Sequence, residues 1–206
     1  MLVLNLLSAG GPGREQMPLF PLATVLYPGM LLPLRIFEPR YMDMAKACLK
    51  HDQAFGVCLI REGAEVGAPA TPEAVGCLAR IVDWDMAQLG ILKVRAEGLE
   101  RFRLVDSKAT ANGLLIGDIE RIAVEDAGDV PELDDCATFL QKAIEGIGRR
   151  RFREPFRFED ASWVGFRLCE ILPLKNPVKQ KLLELTDAGA RLEVLHRFLK
   201  QQKLID

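Results

Sequence analysis

From Met17 to Leu34 the chain runs for eighteen residues without a charged side chain, which on length alone approaches a membrane span. Four prolines decide against that. Pro18, Pro21, Pro28 and Pro33, with Gly29 beside the third, would remove a helix hydrogen bond every few residues, and hydrocarbon offers no replacement partner. The stretch therefore predicts extended segments joined by tight turns.

From there to about Glu125 the hydrophobic period is mostly two, which predicts half-buried strands. Leu92, Val94 and Ala96 alternate with Lys93, Arg95 and Glu97. After Gly98, Phe102 and Leu104 alternate with Arg101 and Arg103, so an antiparallel hairpin turning at Gly98 is expected. Further strands are expected at Leu31 to Phe37, Ala54 to Arg61, Val75 to Ala87 and Leu114 to Val124. That density predicts a barrel or folded sheet of about six strands. One helix interrupts it at Glu38 to Leu49, where Tyr41, Met42, Ala45, Cys48 and Leu49 recur at helical spacing. Glu62 to Thr71, with Gly63, Gly67 and Pro69, is expected to be a loop.

Beyond Gly128 the period changes to 3.6. Leu133, Cys136, Leu140, Ile144 and Ile147 form a stripe after Pro131, placed here in a first helical turn. A second helix is expected from about Asp160 to Leu172, stopped by Pro173. Asn176 as N-cap with Pro177 next predicts a third through Leu185, and Leu192, Leu195 and Phe198 or Leu199 mark a last one. The fold class expected is α+β. Residues 1–16 are assigned to a flexible N-terminal tail, 17–127 to a β-rich subdomain and 128–206 to a helical bundle.

A formal net charge of −2 provides no basic field of the kind that drives non-specific nucleic-acid binding. The five cysteines, at 48, 58, 77, 136 and 169, are scattered, with no C-x-x-C pair and no histidine at ligand spacing. They predict buried thiols in a reducing cytoplasm and no metal site. Leu2 to Leu7 lacks the basic flank and the length of a signal peptide.

The opening stretch contains L-F-P-L at Leu19 to Leu22, P-G at Pro28 and Gly29, L-P-L at Leu32 to Leu34 and I-F-E-P-R-Y at Ile36 to Tyr41. F-G-V-C-L-I at Phe55 to Ile60, V-G-C-L-A-R-I at Val75 to Ile81 and G-L-E-R-F-R-L at Gly98 to Leu104 follow in order, and P-L-K-N-P-V-K-Q-K-L-L-E-L-T begins at Pro173. From Met17 to Lys200 this succession resembles the N-terminal substrate-binding domain of the Lon (ATP-dependent protease La) family, in a stand-alone form. The resemblance implies a PUA-like β-barrel followed by a helical bundle, and a role in binding unfolded or tagged polypeptides for a separate ATPase or protease. Cereblon-type receptors carry a related domain.

No G-x-x-x-x-G-K-[ST] phosphate loop occurs, and the Ser-Lys protease domain of Lon has no counterpart, so neither ATP nor peptide hydrolysis is expected and no cofactor is required. The serines at 8, 107 and 162 lie in no nucleophile-elbow context, and His51 and His196 are far apart in sequence. Asp83 and Asp85 flank Trp84 on a strand, where they are either a carboxylate pair or a solvated face. Glu38, Arg40 and Tyr41 are either a clamp between helix and barrel or the rim of a peptide groove. Phe37 and Trp84 are either apolar anchors for a peptide or ordinary core residues. Arg149, Arg150, Arg151, Arg153 and Arg157, interleaved with Phe152, Phe156 and Phe158, form the one dense basic-aromatic run. An RNA-binding alternative would use it through phosphate contacts and base stacking; the structural alternative is an exposed interhelical loop. Self-association is left undecided by the sequence, and no membrane partner is expected.

Overall fold

In the computed structural model the described residues are 14–123 and 130–205, and they fall into two compact units. The first is built from strands β1 (Arg14–Leu22), β2 (Leu31–Ile36), β3 (Phe55–Glu62), β4 (Thr71–Gln88), β5 (Ile91–Ala109) and β6 (Leu115–Arg121), with helix α1 (Pro39–His51) between β2 and β3. β1 pairs in parallel with β3, β3 antiparallel with β4, β4 with β5, β5 with β6 and β6 with β1. The ladder thus closes on itself, and β2 is added at β5. β1 and β3 run parallel, and the crossover that such a pair requires is supplied by β2 and α1.

Inside the ring, Met17, Leu19, Cys58, Leu78, Phe102, Leu115 and Ile119 form one buried cluster drawn from all five strands. A ring this small has room for the Phe102 phenyl only where a neighbouring strand carries no side chain. Gly76 provides that gap: a Cβ there would lie 2.6 Å from Phe102 Cζ and 2.5 Å from the Val57 carbonyl oxygen.

Two expectations for this unit are corrected. The chain does not turn at Gly98; β5 runs unbroken through it, with Gly98 opposite Ala79 in the β4 ladder. The hairpin turns at Leu89 and Gly90 instead, where Gly90 takes the positive φ of 82° that a tight turn requires. On α1 the buried face is Arg40, Tyr41, Met44, Ala45 and Cys48, so Met44 replaces Met42 and Leu49 in the stripe.

The second unit comprises residues 27–31 and 130–205, with helices α2 (Leu133–Ile147), α3 (Ala161–Ile171), α4 (Asn176–Glu184) and α5 (Ala188–Gln201) and a 3-10 turn at Arg149–Arg151. Asp160 and Asp187 cap α3 and α5 by accepting from the Trp163 and Ala190 amides. Pro131 lies one residue before the Glu132 N-cap of α2 rather than inside its first turn, and Lys175 rather than Asn176 occupies the N-cap of α4. The P-G turn of the opening stretch is held by this unit. Arg167, fully buried, donates from Nη2 to the Pro28 carbonyl at 2.7 Å, and Tyr27 donates its hydroxyl to the Lys179 carbonyl at 2.9 Å. Gly29, at φ +74°, lets that guanidinium lie 3.6 Å from the place of its missing Cβ.

Candidate functional site

The first unit contains a cleft of about 430 Å³, bounded by the end of β1, β2 from Leu32 to Ile36, the first turn of α1 and the loop between β3 and β4. β2 forms one wall. It is hydrogen-bonded to β5 on one side and ends the strand order on the other, a position that admits Pro33 without breaking a central ladder.

The floor is aromatic: Phe20 of β1 stacks on Tyr41 of α1 with ring centroids 4.1 Å apart and planes within 20°. Burial pushes the Tyr41 hydroxyl above the usual phenol range, so it stays protonated and acts as a donor or acceptor, never as a base. Over the other side of this ring lies the Arg40 guanidinium, 4.7 Å from its centroid. Arg40 donates to Glu38 Oε2 at 2.9 Å and to the Gly113 carbonyl at 3.0 Å. Glu38 is the N-cap residue of α1, yet its carboxylate caps no amide and serves Arg40 instead. Arg40 pins the start of α1 to the turn before β6, while Glu38 and Tyr41 line the cleft.

At the mouth, Phe37 is 54% exposed and Val66 57% exposed, large apolar groups of the lining left in water. The loop bearing Val66 is tied down by Glu65, whose carboxylate accepts from the Ala23 amide at 2.6 Å. Glu65 and Val66 carried no sequence signal beyond lying in a glycine-containing loop.

Trp84 does not line this cleft. It lies on β4 opposite Val94, 57% exposed, with Asp83 opposite Arg95 and Asp85 opposite Lys93. The two aspartates form a solvated face among cations, with Asp83 Oδ2 3.8 Å from Arg95. In the helical unit, Phe156 and Phe158 cluster with Trp163, and Arg149 stacks on Phe156 at 4.3 Å. Arg157 Nη1 lies 3.5 Å from Asp160 Oδ2. Arg150, Arg151 and Arg153 are exposed.

Among the described residues, no group of three or more His, Cys, Asp or Glu side chains is placed to hold a metal ion, and no helix is long and apolar enough to cross a membrane. All five cysteines are free and buried. Burial pushes the Cys48 thiol up to about 11 and those of Cys136 and Cys169 up to about 12, which removes them as nucleophiles near neutral pH. His196 meets Asp135 at 3.0 Å on the surface of the helical unit.

Against known proteins, residues 16–201 match the family described as the ATP-dependent protease La (LON) substrate-binding domain. The Lon protease of Xanthomonas oryzae is 28% identical over 89% of this chain, and that of Escherichia coli 25% identical over 92%. The chain spans about a quarter of the length of these relatives. Cereblon of Danio rerio is 29% identical over 48% of the chain, which covers 24% of cereblon. Among solved structures, a Lon N-terminal domain protein from Xanthomonas campestris superposes with a TM-score of 0.74 at 36% identity, covering 88% of this chain and 96% of that one.

Proposed function

This chain belongs to the ATP-dependent protease La (LON) substrate-binding domain family, and from that premise we propose that it is a non-catalytic module that binds unfolded or tagged polypeptides in the cleft beside β2. The observation that carries the proposal is the coincidence, in one cleft, of an outer strand with exposed apolar groups at the mouth. An extended peptide satisfies its backbone along a strand edge and inserts alternate side chains into an adjoining hollow. Folded proteins hide both features, so such a site selects unfolded segments.

Phe37 and Val66 act as the apolar anchors, and the Phe20 and Tyr41 stack is a rigid floor that costs little ordering entropy on binding. Glu38 and Arg40 hold the wall rather than meet the guest. Delivery of the bound chain to a separate ATPase or protease in the cytoplasm completes the proposal, in keeping with the family's name. The RNA alternative has weaker support: Arg149 already occupies a face of Phe156, and Phe156, Phe158 and Trp163 pack on one another instead of offering free stacking platforms.

The test is a fluorescence-anisotropy titration with a labelled model protein in its native and its chemically unfolded state. Binding of the unfolded state alone, weakened by Phe37→Ser, is expected. Equal binding of both states, or none, sinks the proposal.

A further inference from the structure

A second exposed strand edge lies away from the cleft, at the far end of the β4–β5 hairpin. β3 pairs with β4 only through Ala79, and β4 continues to Gln88 with β5 as its remaining neighbour. Between Val82 and Met86 the outer edge of β4 therefore has no strand beside it among the described residues. Trp84 projects from one face of this segment, on the side of Val94, and Asp83 and Asp85 project from the other. Val82, Trp84 and Met86 are 40%, 57% and 38% exposed.

Edge strands are commonly guarded by charge, and the aspartates alone would be such a guard. A guarded edge gains nothing from an exposed indole between its charges, however, because an indole invites the contact that the charges deter. The combination fits selective pairing. A second copy of this chain is a poor occupant: antiparallel pairing about Asp83, Trp84 or Asp85 sets Asp83 against Asp83, Asp83 against Asp85, or Asp85 against Asp85. A strand with basic residues at alternate positions instead places a cation beside each aspartate and an apolar residue beside Trp84, the three residues that stay in regular register with β5.

We propose that the β4 edge from Val82 to Met86 is a second docking site, which takes an extended segment of a partner polypeptide whose basic residues alternate with apolar ones. It is independent of the cleft beside β2. Backbone hydrogen bonds set the register, Trp84 supplies the apolar anchor, and Asp83 and Asp85 select the charge.

The test uses the full chain and a labelled peptide of alternating lysine and valine, with a glutamate-valine peptide as its counterpart. The lysine peptide is expected to bind and the glutamate peptide to fail. Trp84→Ser, a change at an exposed position, weakens binding by roughly tenfold or more. The double substitution Asp83→Lys with Asp85→Lys reverses the preference between the two peptides. N-methylation of alternate backbone amides, which removes edge donors but keeps every charge, abolishes binding in one of its two phases. Phe37→Ser leaves the preference for the lysine peptide over the glutamate peptide unchanged, whatever its effect on unfolded proteins. Equal affinity for the two peptides overturns the proposal, as does indifference to both N-methylated forms. Loss of that preference on Phe37→Ser overturns it too, by assigning the selection to the cleft, and a dimer in sedimentation that Trp84→Ser dissolves would assign the edge to self-pairing.

Discussion

Phe20 and Tyr41 stack ring on ring, 4.1 Å apart, and in doing so join the end of β1 to the first turn of α1 beneath the cleft. Both rings are buried, at 6% and 4% exposure, whereas Phe37 at the mouth is mostly in water. The two kinds of aromatic should therefore respond differently to truncation. Tyr41→Ala is expected to cost about 3 kcal/mol of stability by urea denaturation, because it opens a cavity under a stacked ring. Phe37→Ser and Val66→Ser should stay within about 0.5 kcal/mol of the parent while weakening the binding of unfolded polypeptide. A Phe37→Ser protein as unstable as Tyr41→Ala would show that the mouth is part of the core.

Arg40 makes a second, electrostatic prediction. Its side chain is 6% exposed and that of Glu38 18%, so the pair is largely removed from water. Arg40→Met leaves the Glu38 carboxylate and the Gly113 carbonyl without their donor, at a cost of about 3 kcal/mol. Adding Glu38→Gln should recover part of that loss, because a neutral amide tolerates the site better. If the double variant is no more stable than the single one, the ion pair is not what holds the start of α1.

The barrel interior is expected to reject one methyl group. At Gly76 an added Cβ meets both a ring and a backbone carbonyl, so Gly76→Ala should cost about 2 to 3 kcal/mol. Shortening the ring by Phe102→Leu in the same chain relieves only part, since the Val57 carbonyl remains 2.5 Å away. Thermal unfolding of the two variants decides it.

How far the sequence could be read depended on whether the information was local. The alternation of Leu92, Val94 and Ala96 is a property of one strand, and all three are buried in the structure. Asp160 before an apolar run and Pro173 after it bracketed α3 correctly for the same reason. Gly98 misled because a glycine inside a long strand and a glycine in a turn look alike until the partner strand is known. Here the partner is Ala79, and β5 must continue to reach both β4 and β6. The cleft is the extreme case. Phe20, Phe37, Tyr41 and Val66 belong to four elements, and only the parallel pairing of β1 with β3 and the crossover between them bring them together. Phe37, Glu38 and Tyr41 stand out in the sequence because their motif is contiguous; Glu65 and Val66 do not, because nothing local marks them. Chemistry alone groups Trp84 with them, and the structure sets it on a different edge.

Glu170 gives a pH prediction in the helical unit. Burial pushes its carboxyl above the ordinary 4.5, against the pull of Arg167, whose Nη1 lies 3.1 Å away. A carboxyl that holds its proton more tightly folded than unfolded supports the fold when protonated. That support is full below the unfolded value and is lost as pH rises through the raised folded value. Relative to Glu170→Gln, the parent chain should therefore lose stability as pH climbs from below 4.5 into the mildly acidic range, and the glutamine variant should be the more stable at neutral pH. A constant difference across that range would contradict the assignment.

The central claim, that the cleft beside β2 receives unfolded chain, is tested most directly by mapping backbone amide shifts on the isotope-labelled protein as an unlabelled, chemically unfolded polypeptide is added. Shifts concentrated at Leu22, Thr24, Leu34, Phe37 and Val66, with the Arg149 to Phe158 segment unmoved, are the predicted result. Shifts confined to that basic segment, or scattered without regard to the cleft, would contradict it.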